Sequence, residues 1–104
     1  MEEVGLRYNE GKPRVDLLPP DALLALGEVY EVGAKKYAER NWEKGMSWQT
    51  VLGCLLRHTF KFMLGEDRDE ESGLLHSQHI AWNALALLTY QLRNIGIDDR
   101  TINK

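Results

Sequence analysis

At 104 residues, 43% hydrophobic and 28% charged, the chain is long enough for one domain with a modest core and too short for two. A formal net charge of -3 argues against a broad basic surface that holds nucleic acid by counterion release, although a small anion needs only a few placed cations. The lone Cys54 cannot form an intramolecular disulfide, no apolar run approaches the ~20 residues of a membrane span, and the first residues, MEEVGLRYNEGKPR, hold no apolar signal-peptide core. The expectation is a cytoplasmic, reduced protein with neither nucleic acid nor membrane as partner.

Residues 1–19 carry Gly5, Gly11, Pro13 and Pro19 without a sustained period, which predicts an extended arm with turns. Lys12 and Arg14 flank a stiffening proline there. Two readings stay open: a solvated arm pinned to the core by Leu17 and Leu18, or a clamp whose cations neutralise a polyphosphate. Pro19-Pro20-Asp21 then starts a first helix, because proline is tolerated in the first turn and an acid is favoured at the positive end. Leu23, Leu26, Tyr30, Ala34 and Tyr37 give it one apolar face through about Arg40. On its flank, Glu28 and Glu31 lie three apart. Glu31 can pair with Lys35, or both carboxylates can turn toward a metal.

After a connection at residues 41–45, Ser47 is a candidate N-cap for a second helix. Trp48, Val51, Leu52, Leu55, Leu56, Phe60, Met63 and Leu64 form its apolar stripe, and Gly65 ends it. His58 falls at the edge of this stripe, while Arg57 points away toward solvent, a neighbouring subunit or a ligand. The third helix is expected to begin between Leu74 and His76 and run to about Arg93. It is apolar around nearly its whole circumference, which places it at a bundle centre or in a subunit interface. Residues 94–104 read as a tail docked through Ile95 and Ile97. No strand pattern competes. The predicted fold is all-α, one small bundle of three main helices with an extended N-terminal arm over residues 1–104, completed by oligomerisation.

The chemistry concentrates between the second and third helices. Glu66, Asp67, Asp69, Glu70 and Glu71 fall within six residues, and carboxylates so crowded repel one another unless water or a cation intervenes. Ser72-Gly73 breaks the run. His76, His79 and Asn83 follow at i, i+3 and i+7, which stacks them on one helix face. An acidic loop feeding such a stripe can hold a divalent metal; oxygen ligands suit Mg²⁺ or Mn²⁺, and imidazoles draw toward Mn²⁺ or Zn²⁺. A solvated charged loop beside two surface histidines is the plainer alternative.

Taken together, GKPRVDLLPPDAL at 11–23, GAKKY at 33–37, Asn41-Trp42, Arg57-His58 and GEDRDEESGLLHSQHIAWN at 65–83 resemble the phage-type dATP/dGTP diphosphohydrolase family, over about residues 8–92. That family is related in function to the MazG-like all-α nucleotide pyrophosphatases. The resemblance implies hydrolysis of a deoxynucleoside triphosphate between the α and β phosphates to monophosphate and pyrophosphate, with Mg²⁺ or Mn²⁺ as cofactor; a purine substrate, a homodimer or homotetramer built on the apolar third helix, and the host cytoplasm complete the expectation. Glu28-x-x-Glu31 and Glu66-x-x-Asp69 have the spacing of the MazG metal pairs. The implied catalytic set is Glu66, Asp69, Glu71, His76 and His79, with Glu66, Asp69, Glu71 and His79 holding metal. Lys12, Arg14, Lys36, Tyr37, Asn41, Trp42, Arg57, His58 and Asn83 are the candidate substrate contacts, cations for phosphate and aromatics for the base. Two readings of other classes compete: an HD-like phosphatase releasing orthophosphate, although no His-Asp dipeptide occurs, and a non-catalytic helical dimer that binds a partner through its third helix.

Overall fold

A computed structural model describes residues 4–101; the ends of the expected arm and tail, residues 1–3 and 102–104, lie outside the described residues. Three α-helices carry the fold: α1 (Pro20–Lys36), α2 (Trp48–Met63) and α3 (His76–Arg93), with short 3₁₀ turns at Val15–Leu17 and Asn41–Lys44. No strand forms among the described residues; two isolated bridges join Ser47 to Ile97 and Arg68 to Leu75. Helix α3 packs on both α1 and α2, so it is the shared element its all-round apolar pattern called for.

The helix ends follow their local chemistry. Pro20 stands at the first turn of α1, where its missing N–H costs nothing. Ser47 Oγ accepts the Thr50 N–H at 3.2 Å and caps α2. At the start of α3 the Gln78 side chain does two jobs: its oxygen accepts the Leu75 N–H at 2.8 Å, and its nitrogen donates to the Ala25 carbonyl at 2.7 Å, fastening α3 to α1.

The first helix stops at Lys36, four residues before the expected Arg40. Arg40 sits in the left-handed region at φ 60, and the chain turns so that Trp42 enters an aromatic group, its ring centroid 5.6, 6.1 and 6.3 Å from those of Tyr30, Trp82 and Tyr90. The Tyr90 hydroxyl donates to the Trp42 carbonyl at 2.7 Å. Burying one more aromatic in this group outweighs extending a solvated helix end. Val51, Ala86 and Tyr90 form the adjoining buried core.

The tail docks through Ile95 as expected, whereas Ile97 leaves its side chain 67% exposed and engages by its backbone, accepting the Trp48 N–H at 2.9 Å and donating to the Met46 carbonyl at 3.2 Å. Ile95 packs on the core, Trp48 Nε1 donates to its carbonyl at 3.0 Å, and Asp99 receives Ser47 Oγ at 2.6 Å and the Gln49 N–H at 3.0 Å, a carboxylate over the N-terminus of α2. Two glycines lie back to back to allow this: a Cβ on Gly96 would stand 2.5 Å from the Met46 carbonyl oxygen, and one on Gly45 would stand 2.6 Å from Gly96 N. Gly96 also has φ +82. Gly96→Ala is therefore expected to lower unfolding free energy by at least ~2 kcal/mol, read as a reduced urea midpoint at unchanged slope.

The arm does not behave as a pinned segment. Leu17 and Leu18 remain exposed, correcting the expectation that they anchor it, and Leu6 and Tyr8 are 80% and 82% exposed. The radius of gyration is 17.8 Å, against about 13 Å for a compact chain of this length. On the back of α3, Ala81, Leu85, Leu88 and Leu92 recur at spacings of four, three and four, the pattern of a helix–helix seam; the last two are 49% and 78% exposed. Sedimentation at micromolar concentration is expected to show a dimer or larger, and Leu88→Glu to shift it toward monomer; a folded wild-type monomer would contradict this.

Candidate metal centre

Helices α1 and α2 diverge over α3 and leave a cleft of about 1070 Å³ between them. The C-terminal half of α1 and one side of α2 from Thr50 to Lys61 wall it, with His79, Trp82 and Asn83 of α3 also lining it. Tyr30, Trp42 and Trp82 give it aromatic walls. His58, Asp69, Ser72 and His79 line it as well, with Trp82 following His79 by three residues, about one turn of α3.

The loop from Gly65 to Leu75 folds back on itself because its backbone groups pair across it. Asp69 N–H donates to the Leu74 carbonyl, Gly73 N–H to Asp69, and His76 N–H to Asp67, each at 2.8 Å. Gly73 supplies the left-handed turn at φ +74. This folding carries Glu66 and Asp69 to the start of α3 and against α2.

The ring of His76 is fully buried, so both nitrogens need partners. Nε2 lies 2.6 Å from Glu66 Oε2. A carboxylate only accepts, so that nitrogen carries the proton, and in the neutral ring Nδ1 keeps its lone pair. Nδ1 lies 2.9 Å from His58 Nδ1. His58 stacks on His79, centroids 4.5 Å apart and planes 6° from parallel. Ser72 governs the second half of the site: its backbone N–H and Oγ both meet Asp69 Oδ2 at 2.9 Å, while Oγ lies 2.7 Å from His79 Nε2 and 3.2 Å from the Leu74 N–H. One hydroxyl proton directed to Asp69 leaves Oγ accepting from His79, which places the His79 proton on Nε2.

Burial holds the His58 and His79 imidazoles below their ordinary pKa; the other imidazoles and Arg57 add to this at His58, and Asp69 opposes it at both. Burial alone would raise Asp69, but the two Ser72 hydrogen bonds, with the histidines, outweigh it and hold the carboxyl below its usual range. Neutral imidazoles facing an ionised carboxylate are the protonation states that metal ligation requires. Donor atoms of His58, Asp69 and His76 lie within 4.8 Å of one another, so these three can hold a metal ion. Two nitrogens and one oxygen suit Mn²⁺ or another transition ion better than Mg²⁺ alone.

Of the four residues expected to hold metal, Asp69 stands in this group. Glu66 backs His76 as a second-layer carboxylate, an arrangement that orients ligating histidines. His79 Nε2 is 3.9 Å from Asp69. Glu71 turns to Lys36 at 2.9 Å. The mutual repulsion expected of the loop is relieved locally, since Asp69, Glu66 and Glu71 each have their own donor. Lys36, Tyr37, Asn41, Trp42, Arg57, His58 and Asn83 all line the cleft; Lys12 and Arg14 do not, and Arg14 makes a two-point pair with Asp16. Glu31 pairs with Lys35 at 3.2 Å, and neither Glu28 nor Glu31 lines the cleft. Sequence reasoning missed His58 as a ligand candidate and Ser72 as an organiser. A signal for the first existed: His58 is seven residues after Val51, hence on its face, and Val51 is 3% exposed.

The arrangement defines a class: an all-α domain with a candidate metal centre beside an aromatic cleft lined by charges of both signs. The chain belongs to the family described as dATP/dGTP diphosphohydrolase, N-terminal, whose sequence profile matches residues 2–100. A curated relative, a "dATP/dGTP diphosphohydrolase" from Salmonella phage PMBT28, is 29% identical over 90 residues, which cover 86% of this chain and 30% of the relative. The chain thus spans under a third of that relative's length. No solved structure matches. Among the described residues, no helix is long and apolar enough to cross a membrane.

The lowered imidazoles give a signed pH dependence. Below the ordinary histidine value of about 6.5, the unfolded chain takes up protons that folded His58 and His79 refuse. Stability is thus complete above that value and is lost as pH falls from it toward the folded pKa values. Metal-free melting temperature should drop across this window, and His58→Gln should flatten the drop; a flat wild-type profile between pH 7 and 5 would contradict the assignment.

Proposed function

We propose that this domain hydrolyses purine deoxynucleoside triphosphates between the α and β phosphates, with a divalent metal held by His58, Asp69 and His76. The observation that carries the reading is the convergence of two imidazoles and a carboxylate within 4.8 Å beside a cleft that is also lined by Tyr30, Trp42 and Trp82. Family membership supports it.

Attack at phosphorus requires charge neutralisation, an oriented water and a stabilised leaving group. When bound, a divalent ion supplies positive charge to phosphate oxygens and acidity to water. The remaining work falls to the chain. Trp42 offers an aromatic face to the base and Asn41 its amide to the base edge, both lining the cleft, while the Tyr37 ring lies beside Lys36 Nζ, 5.4 Å from its centroid. Arg57 has no ion-pair partner among the described residues and lines the cleft one residue before His58, where it can meet the leaving pyrophosphate. Lys36 and Lys61 add charge there. His79, with its proton on Nε2, keeps Nδ1 as an acceptor for a proton from water. Asn83 Nδ2 donates to the His79 carbonyl at 2.8 Å and steadies that turn. Orthophosphate release by an HD-like site is the competing outcome, and product analysis separates the two.

Incubation with each deoxynucleoside triphosphate and Mn²⁺ is expected to yield pyrophosphate and monophosphate, fastest with dATP or dGTP. Asp69→Asn keeps size and hydrogen-bonding capacity while removing the charge. It should lower kcat by at least about a hundredfold and abolish the Mn²⁺-induced rise in melting temperature, which for wild type at a hundredfold excess over Kd corresponds to about 2.7 kcal/mol. In EDTA it should cost stability, because Ser72 holds the ionised carboxylate. Full activity in Asp69→Asn would move the site elsewhere.

A further inference from the structure

The cleft in one chain carries no surplus of positive charge. Its four lining cations, Lys36, Arg40, Arg57 and Lys61, are matched in number by four lining carboxylates. Lys36 is held by Glu71, Arg40 by Glu43, and Lys61 lies 3.9 Å from Glu66. A nucleoside triphosphate brings several negative charges, more than one divalent ion offsets.

The arm has the opposite problem. Lys12 has no ion-pair partner among the described residues, and Arg14 reaches only Asp16 on the same exposed turn. Leu6, Tyr8, Val15 and Leu17 leave large apolar surfaces uncovered on the same segment, an arrangement that marks an interaction surface rather than a solvated linker. The arm is thus cationic and apolar with nothing to cover, and the cleft is open and short of cations.

In this structure the arm does not cover its own cleft, whose lining includes neither Lys12 nor Arg14, and to arrive there it would have to run back along α1 at nearly full extension. Lys12 lies eight residues before Pro20, about 27 Å when fully extended, and the 3₁₀ turn at Val15–Leu17 shortens that to roughly 23 Å. The phosphate end of the cleft, near Lys36, is about 24 Å along α1 from Pro20. A second copy faces no such limit. Residues 4–18, extended, reach up to ~50 Å, beyond the 36 and 29 Å short dimensions of the chain.

We propose that the arm of a second copy of this chain lies across the mouth of the cleft and delivers Lys12 and Arg14 to the substrate phosphates, so that each site is built from two chains. This rests on the function proposed above, and its test separates the two. The Lys12→Ala/Arg14→Ala chain keeps an intact centre and lacks the arm cations; the Asp69→Asn chain has the converse defect. Each alone should be nearly inactive. Mixed in equal amounts and allowed to exchange, they should recover about a quarter of wild-type turnover, since half of random dimers are mixed and each holds one complete site. Wild-type KM in the double-alanine chain, or a mixture no more active than its parts beside an active wild type, would overturn the inference.

A readout independent of catalysis accompanies it. In a Cys54→Ser background, Lys12→Cys chains mixed with Arg57→Cys chains should oxidise to a covalent dimer, which requires the two Cα atoms within about 7 Å. Absence of that dimer, or closure only within a chain carrying both cysteines, would overturn the arrangement. A covalent dimer from a chain that hydrolyses no triphosphate would sustain the arrangement and remove the proposed activity.

Discussion

A fully buried imidazole must find a partner for each ring nitrogen, and most of the candidate site follows from how His76 does so. One nitrogen takes a carboxylate from the acidic loop and the other takes His58 from α2. Loop, α2 and α3 therefore meet at a single ring. If the loop did not fold back through its Asp69, Gly73 and His76 backbone hydrogen bonds, Glu66 could not reach this ring, and the site would come apart with the loop.

The same economy appears at Ser72, where one side chain sets two others. Its hydroxyl and amide hold Asp69 ionised, and the remaining lone pairs orient His79 and the turn at Leu74. Desolvation keeps His58 and His79 neutral at the same time. Neutral His58 and ionised Asp69 are the forms in which two of the three candidate ligands bind a metal.

Much of the fold was legible because it rests on local chemistry: Pro20, the Ser47 cap and Gly65 bound the helices, and the 3.6-residue period marked their faces. The end of α1 was not, because Trp42 turns back toward Tyr30, Trp82 and Tyr90, which are distant in sequence. At the site, Asp69, His76 and His79 were legible from the loop-and-stripe pattern. His58 and Ser72 were misjudged for a shared reason. Their roles are set by contacts between elements, which no spacing along one element encodes. Of the two readings of Glu28 and Glu31, the structure carries the ion pair of Glu31 with Lys35, on a flank away from the cleft.

The central claim is that His58, Asp69 and His76 form a metal centre beside the cleft. The most direct measurement is a crystal structure with Mn²⁺, located by its anomalous scattering. The account predicts one dominant peak among these three side chains, with Glu66 still hydrogen-bonded behind His76. A peak at Glu28 and Glu31, or no peak at saturating Mn²⁺ while the ring contacts stay as they are here, would contradict it.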